Sequence, residues 1–132
     1  MSRKRIRRTI GAMTVAGVLL LAWAPPALAS DQSWTAINSA GQTVATAHFD
    51  DAANRVYITD TRSDGSRGGV AARIDIWRVG NIGGTHVKCS VGSLGSTNCP
   101  LIWVEDTHLK GQLCQYPSSS EEYCSPIKEF YS

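Results

Sequence analysis

Beyond residue 29, good helix formers never recur at i, i+3, i+4 and i+7 over three turns, so no amphipathic helix is expected. There is no pair of cysteines two to four residues apart, which excludes the usual zinc ligand sets. There is no dinucleotide fingerprint and no phosphate-binding loop. Ser93 lacks the glycine two positions before it that a nucleophile elbow needs, because Val91 stands there. No uncharged apolar run reaches the roughly 20 residues of a retained membrane span. No internal repeat and no low-complexity linker is present. These absences point away from catalysis, and no cofactor is expected.

What is present begins with a leader. Arg3, Lys4, Arg5, Arg7 and Arg8 precede an apolar run from Ile10 to Trp23, then Pro25-Pro26 and Ala27-Leu28-Ala29. That order predicts a secretory signal peptide over 1–29, cleaved after Ala29. Arg7-Arg8 followed by Thr9-Ile10-Gly11 matches a twin-arginine signal poorly, so the arginines simply supply the charge. The mature chain, 30–132, suits one domain with one modest core.

Cleavage reverses the charge. The whole chain is +2, but five of its 13 Lys and Arg lie in the leader and all 11 Asp and Glu lie after it. Eight cations against 11 acids leave −3, which removes the footing for a nucleic-acid or anionic-lipid partner. A free exported protein is expected, with no membrane attachment after cleavage. Its four cysteines, Cys89, Cys99, Cys114 and Cys124, are spaced C-x9-C, x14, C-x9-C. Three pairings are open. Cys89–Cys99 and Cys114–Cys124 are favoured because each closes a short local loop in an oxidising compartment.

The stretch Asn54–Val79 organises the rest. Asn54–Thr61 alternates Val56, Ile58 and Asp60 against Arg55, Tyr57 and Thr59. Val70–Val79 alternates Ala72, Ile74 and Ile76 against Arg73, Asp75 and Trp77. A period of two marks strands with one dry and one wet face. Further strands are expected at Thr43–Phe49, Thr85–Val91, Leu101–Glu105, Leu109–Tyr116 and Ile127–Tyr131. Ser30–Gly41 reads as an edge strand or a docked tail. Gly92–Asn98 and Pro117–Glu122 read as loops. Six to eight short antiparallel strands predict an all-β fold, a single small β-sandwich of jelly-roll or Ig-like type with two disulfides.

The polar face of the two central strands is the candidate binding surface. Tyr57 and Trp77 fall on it with Arg55, Arg73 and Asp75, and His86 and Lys88 join it from the next strand. Aromatic side chains among charges suit sugar stacking or a protein contact. Their bland alternative is that both rings cover loops or a second layer. Asp60 and Asp64 place two carboxylates four apart at a strand end. They are the one calcium candidate, although the segment does not fit the twelve-residue calcium loop and Asp64-Gly65 is also an ordinary turn. No metal site is otherwise assigned. His48, His86 and His108 are too dispersed to form a local metal or base site. Glu105 and Asp106 lie near His108, but adjacent acids on a strand point to opposite faces.

The leader ending Ala27-Leu28-Ala29, the Asp60-x-x-x-Asp64-Gly65 turn, the Ile74-x-Ile76 strand and the late cysteines together resemble the small exported β-sandwich proteins of filamentous actinobacteria. The likeness spans most of 43–116. That group implies no site residues; it includes disulfide-bonded inhibitors of secreted hydrolases, whose motifs are not matched here. The reading that follows is a secreted, non-catalytic binding module for polysaccharide, envelope material or a protein partner. The alternatives are an inhibitor acting through Gly92–Asn98 or Pro117–Glu122, and a small hydrolase using His108 or Asp60/Asp64. Oligomeric state is not readable.

Overall fold

The computed structural model describes residues 31–132. The leader expected over 1–29 lies outside the described residues. The described residues form nine strands and no helix: β1 Gln32–Ile37, β2 Thr43–Asp50, β3 Arg55–Asp60, β4 Ala72–Arg78, β5 His86–Val91, β6 Ser96–Pro100, β7 His108–Gln115, β8 Tyr123–Cys124 and β9 Lys128–Tyr131. Two antiparallel sheets stack as a β-sandwich. One runs β1-β2-β3-β6; the other runs β5-β4-β7, with β8 and β9 both pairing β7.

Alternation decides what each strand buries. Val56 and Ile58 from β3 face Ile74 and Ile76 from β4 across the core, all at most 1% exposed. Trp34, Phe49, Leu109, Leu113 and Phe130 supply its other large side chains. A β-bulge between Ala36 and Ile37 breaks the period, so that Val44 and Ala45 are both buried although adjacent.

The two flanks of the sandwich are closed differently. Cys89 on β5 bonds Cys99 on β6, joining the edge strands of the two sheets. On the opposite flank Phe130 packs edge-on to Trp34 at 5.4 Å and tilted against Phe49 at 4.9 Å. There Lys128 Nζ also donates to Ser33 O at 2.6 Å. Cys114–Cys124 links a cross-strand pair within one sheet. Both pairings are those expected from the spacing.

Three expectations are corrected, two of them local. Leu101–Glu105 is not a strand; only Leu101 is buried, and Ile102 and Val104 are 61% and 79% exposed. The strand instead occupies Ser96–Pro100, in a segment read as a loop for its Gly and Ser content. Pairing with β3 supplies the backbone partners that composition did not announce. Glu105 and Asp106 therefore sit in a turn, Asp106 with φ 62°, rather than alternating along a strand.

The third correction is topological. β3 and β4 are consecutive but do not pair. Their connection crosses from one sheet to the other, so β3 lies between β2 and β6, and β4 between β5 and β7. A tight hairpin takes two to five residues. The longer segment between Asp60 and Ala72 has the reach to change layers instead. Gly65 stands at φ 89°, which a side chain disfavours, and a Cβ there would meet Ser118 at 2.9 Å.

Candidate functional site

The crossover separates the residues expected on one surface. Arg55 and Tyr57 lie on the outer face of the first sheet. Arg73, Asp75 and Trp77 lie on the outer face of the second, at the far side of the sandwich. The single Tyr57/Trp77 platform is therefore not formed. His86 and Lys88 do join Trp77 and Asp75, as expected, through the pairs Trp77↔His86 and Asp75↔Lys88.

On the second sheet, Trp77 points away from the isoleucine core yet is only 8% exposed. The His86 ring stacks on it at 5.4 Å and 16°. His86 Nε2 donates to Ile82 O at 2.9 Å, which holds the β4–β5 turn beside the indole. A cleft of about 300 Å³ remains at its edge, lined by Trp77, Gly80, Ile82, Lys110 and Ile127. Arg73 and Asp75 pair with each other at 3.2 Å. Arg73 and Arg67 each lie over the Tyr116 ring at 5.3 Å. Burial raises the Tyr116 hydroxyl above its ordinary range, with the Arg73 charge opposing. Arg73 and Asp75 are thus paired with each other, and the indole is covered.

The histidines are not brought together. His48 is on the first sheet and His86 on the second. His108 is on the second sheet too, but its partner is Glu129 at 3.0 Å, not Glu105 or Asp106, and its ring stacks on Tyr131 at 4.6 Å. The Glu129 carboxyl is held below its ordinary range by the hydrogen bond from Lys110 first, with His108 adding to it.

The outer face of the first sheet is open. Register sets two rows across its four strands: Ser33, His48, Tyr57, Asn98 and, one pair further on, Thr35, Thr46, Thr59, Ser96. Strand spacing of about 4.8 Å makes each row about 14 Å long. Tyr57 is 40% exposed in the middle of this wall. Beside it lies a shallow depression of about 350 Å³ lined by residues 33–35 and 46–48 with Tyr57 and Thr59. Neighbouring groups are already ordered. Ser33 Oγ and His48 Nδ1 share a hydrogen bond of 3.1 Å, Thr59 and Ser96 one of 2.8 Å, and Arg55 Nε donates to Asn98 Oδ1 at 2.7 Å. The threonine row escaped the sequence reading, although Thr35, Thr46 and Thr59 each sit at an outward position of their strand. What was missing was the strand partners that align them.

Asp60 and Asp64 lie together at one end of the sandwich, with Gln115 from the second sheet between them: its Nε2 donates to Asp64 Oδ1 at 2.7 Å. Among the described residues, one group of three potential metal ligands is otherwise close, Cys114, Glu122 and Cys124. Both of those sulfurs are bonded to each other and present no thiolate.

Among the described residues, no helix is long and apolar enough to cross a membrane. No family model, no curated protein and no solved structure matches this chain.

Proposed function

We propose that this is a secreted, non-catalytic module that binds polysaccharide across the outer face of its first sheet. The carrying observation is the juxtaposition of Tyr57 with two aligned rows of hydroxyl, imidazole and amide groups. A half-exposed phenol offers an apolar face to a sugar ring and a polar tip to its hydroxyls. Threonine and serine hydroxyls both donate and accept, which suits a ligand whose groups do the same. Their β-strand scaffold and existing hydrogen bonds leave little ordering cost on binding. Two disulfides fit an oxidising, extracellular setting.

Depletion of oxidised mature protein by insoluble polysaccharides, and retardation in gels containing soluble ones, tests the reading. Tyr57→Ala should abolish capture at unchanged fold. Capture by none of the polysaccharides, or undiminished capture of that variant, would remove it.

A second reading, inhibition of a secreted hydrolase, draws on the loop 117–122. Ser118 bonds Asp64 O through both its N–H and its hydroxyl, at 3.0 Å each, and Arg67 donates to Pro117 O and Glu121 O. The loop is thereby rigid, as an inhibitory loop needs to be. The other loop considered, Gly92–Asn98, ends in β6 and offers only 92–95. Titration against proteases and glycosidases separates this reading from the first.

A further inference from the structure

The end of the sandwich beside the crossover holds oxygens that the sugar face does not use. Asp60 is the last residue of β3 and lies on the inner side, behind Val56 and Ile58, 2% exposed. Its Oδ2 accepts the Leu94 N–H at 2.8 Å. Its Oδ1 is buried and makes no well-formed hydrogen bond, although the Gln115 amide and the Arg62 N–H lie near the carboxylate. Gln115, the last residue of β7 in the opposite sheet, is 0% exposed. Its amide nitrogen is spent on Asp64, and its Oε1 is also buried with no donor.

Two fully buried acceptors without a well-formed hydrogen bond, next to a second carboxylate, are an arrangement that folding alone disfavours. No cationic side chain relieves it. Among the described residues the ion pairs join other groups, and the neighbouring Arg62 guanidinium is turned to Gln42 Oε1 at 2.9 Å. Asp64 is nevertheless fixed in place, since Ser118 clamps its carbonyl from two donors. A cleft of about 410 Å³ lined by Thr61, Arg62, Ser63, Asp64 and Leu94 opens beside this corner and reaches Asp64.

We propose that Asp60, Asp64 and Gln115 form a Ca²⁺ site that ties the two sheets together at this end of the sandwich. The donors are all oxygen, two of them carboxylates, which is the chemistry of a hard cation. Calcium accepts irregular geometry and completes its six to eight ligands with water, whereas Mg²⁺ demands a near-ideal octahedron. The ligands come from β3, β7 and the crossover, so the ion bridges elements that the backbone ladders do not join. Burial of Asp60, with the Asp64 charge adding to it, raises the Asp60 carboxyl above its ordinary range. A bound divalent ion opposes both effects by favouring the ionised carboxylate.

The test is calorimetric titration and thermal melting of the oxidised mature protein, stripped with EDTA and then given CaCl₂ or MgCl₂. Calcium should bind in the range of about 10⁻⁴–10⁻³ M typical of extracellular modules and raise Tm. Asp64→Asn should weaken binding at least about tenfold, a loss of about 1.4 kcal/mol, while keeping its EDTA melting point. Asp60→Asn should remove the calcium response; because it replaces the orphan acceptor with a donor, its melting point in EDTA should not fall. Absence of a calcium response up to about ten times the upper end of that range overturns the proposal. So does an equal response to Mg²⁺, or an undiminished response in Asp64→Asn.

Discussion

The indole of Trp34 in one sheet sits directly against the backbone of Gly111 in the other. Its Nε1 donates to Gly111 O at 2.9 Å, and a Cβ on Gly111 would lie 2.7 Å from Trp34 Cζ2. A glycine in mid-strand weakens a sheet in isolation. Here it makes room for the largest side chain of the core and supplies that side chain's hydrogen-bond acceptor.

Gly111→Ala should therefore destabilise, although alanine is the better residue for an ordered backbone. The nearest atoms are ring carbons of a buried indole, which cannot yield as a flexible side chain would. Overpacking of this kind costs about 1–3 kcal/mol. For a domain of this size that lowers Tm by roughly 4–8 °C per kcal/mol. Chemical denaturation with tryptophan fluorescence checks both the size and the sign.

Tyr57→Ala and Trp77→Ala should part company. Tyr57 is 40% exposed, so its loss should cost at most about 1 kcal/mol and remove polysaccharide capture. Trp77 is 8% exposed under His86, so its loss should cost about 2–4 kcal/mol and leave capture by the folded fraction intact. Melting and polysaccharide depletion measured on both variants read the two effects separately.

The two disulfides close loops of equal separation, 10 residues each. A chain-entropy account predicts the same contribution from each, about 2–3 kcal/mol. Cys89–Cys99 also holds two edge strands of different sheets, one of its cysteines fully buried, whereas Cys114–Cys124 joins strands already paired. Double alanine replacement of Cys89 and Cys99 should then cost more than that of Cys114 and Cys124. Urea unfolding of the two variants provides the comparison.

Asp60 gives stability an unusual pH dependence. Its carboxyl is raised in the folded protein by burial, so folding favours the protonated form. Its contribution is full below the unfolded value of about 3.9 and is lost as pH rises through the raised folded value. Without calcium, the stability of the native protein relative to Asp60→Asn should fall with rising pH across that window. Calcium affinity should rise over the same window, because the ion displaces a proton. Glu129 acts in the opposite sense: its carboxyl is lowered by Lys110, so its contribution is present at neutral pH and lost as pH falls. Paired melts of native and Asp60→Asn protein in EDTA isolate the first effect from the second.

Much of the candidate surface could be read before any fold was known, but only strand by strand. Alternation alone puts Arg55, Tyr57 and Thr59 on the outward side of β3, and Arg73, Asp75 and Trp77 on that of β4. Their fusion into one platform was not correct, because adjacency along the chain does not make strands neighbours in a sheet. The strand at Ser96–Pro100 was hidden by its own composition and forms because β3 offers it a ladder. Gln115 carried no local sign of meeting Asp60 and Asp64, from which it is separated by more than 50 positions.

By itself the sequence determined the two sides of the central strands, the all-β class and the even number of cysteines, and it favoured the pairing found. These follow from the pleat, which turns successive side chains to opposite faces, and from loop closure, which favours near partners. Only the tertiary structure decided which strands share a sheet, that Trp77 is covered while Tyr57 is open, and that three distant oxygen-bearing side chains meet at one end. Those outcomes depend on a layer-changing crossover and on long-range packing, and neither leaves a periodic trace in the chain.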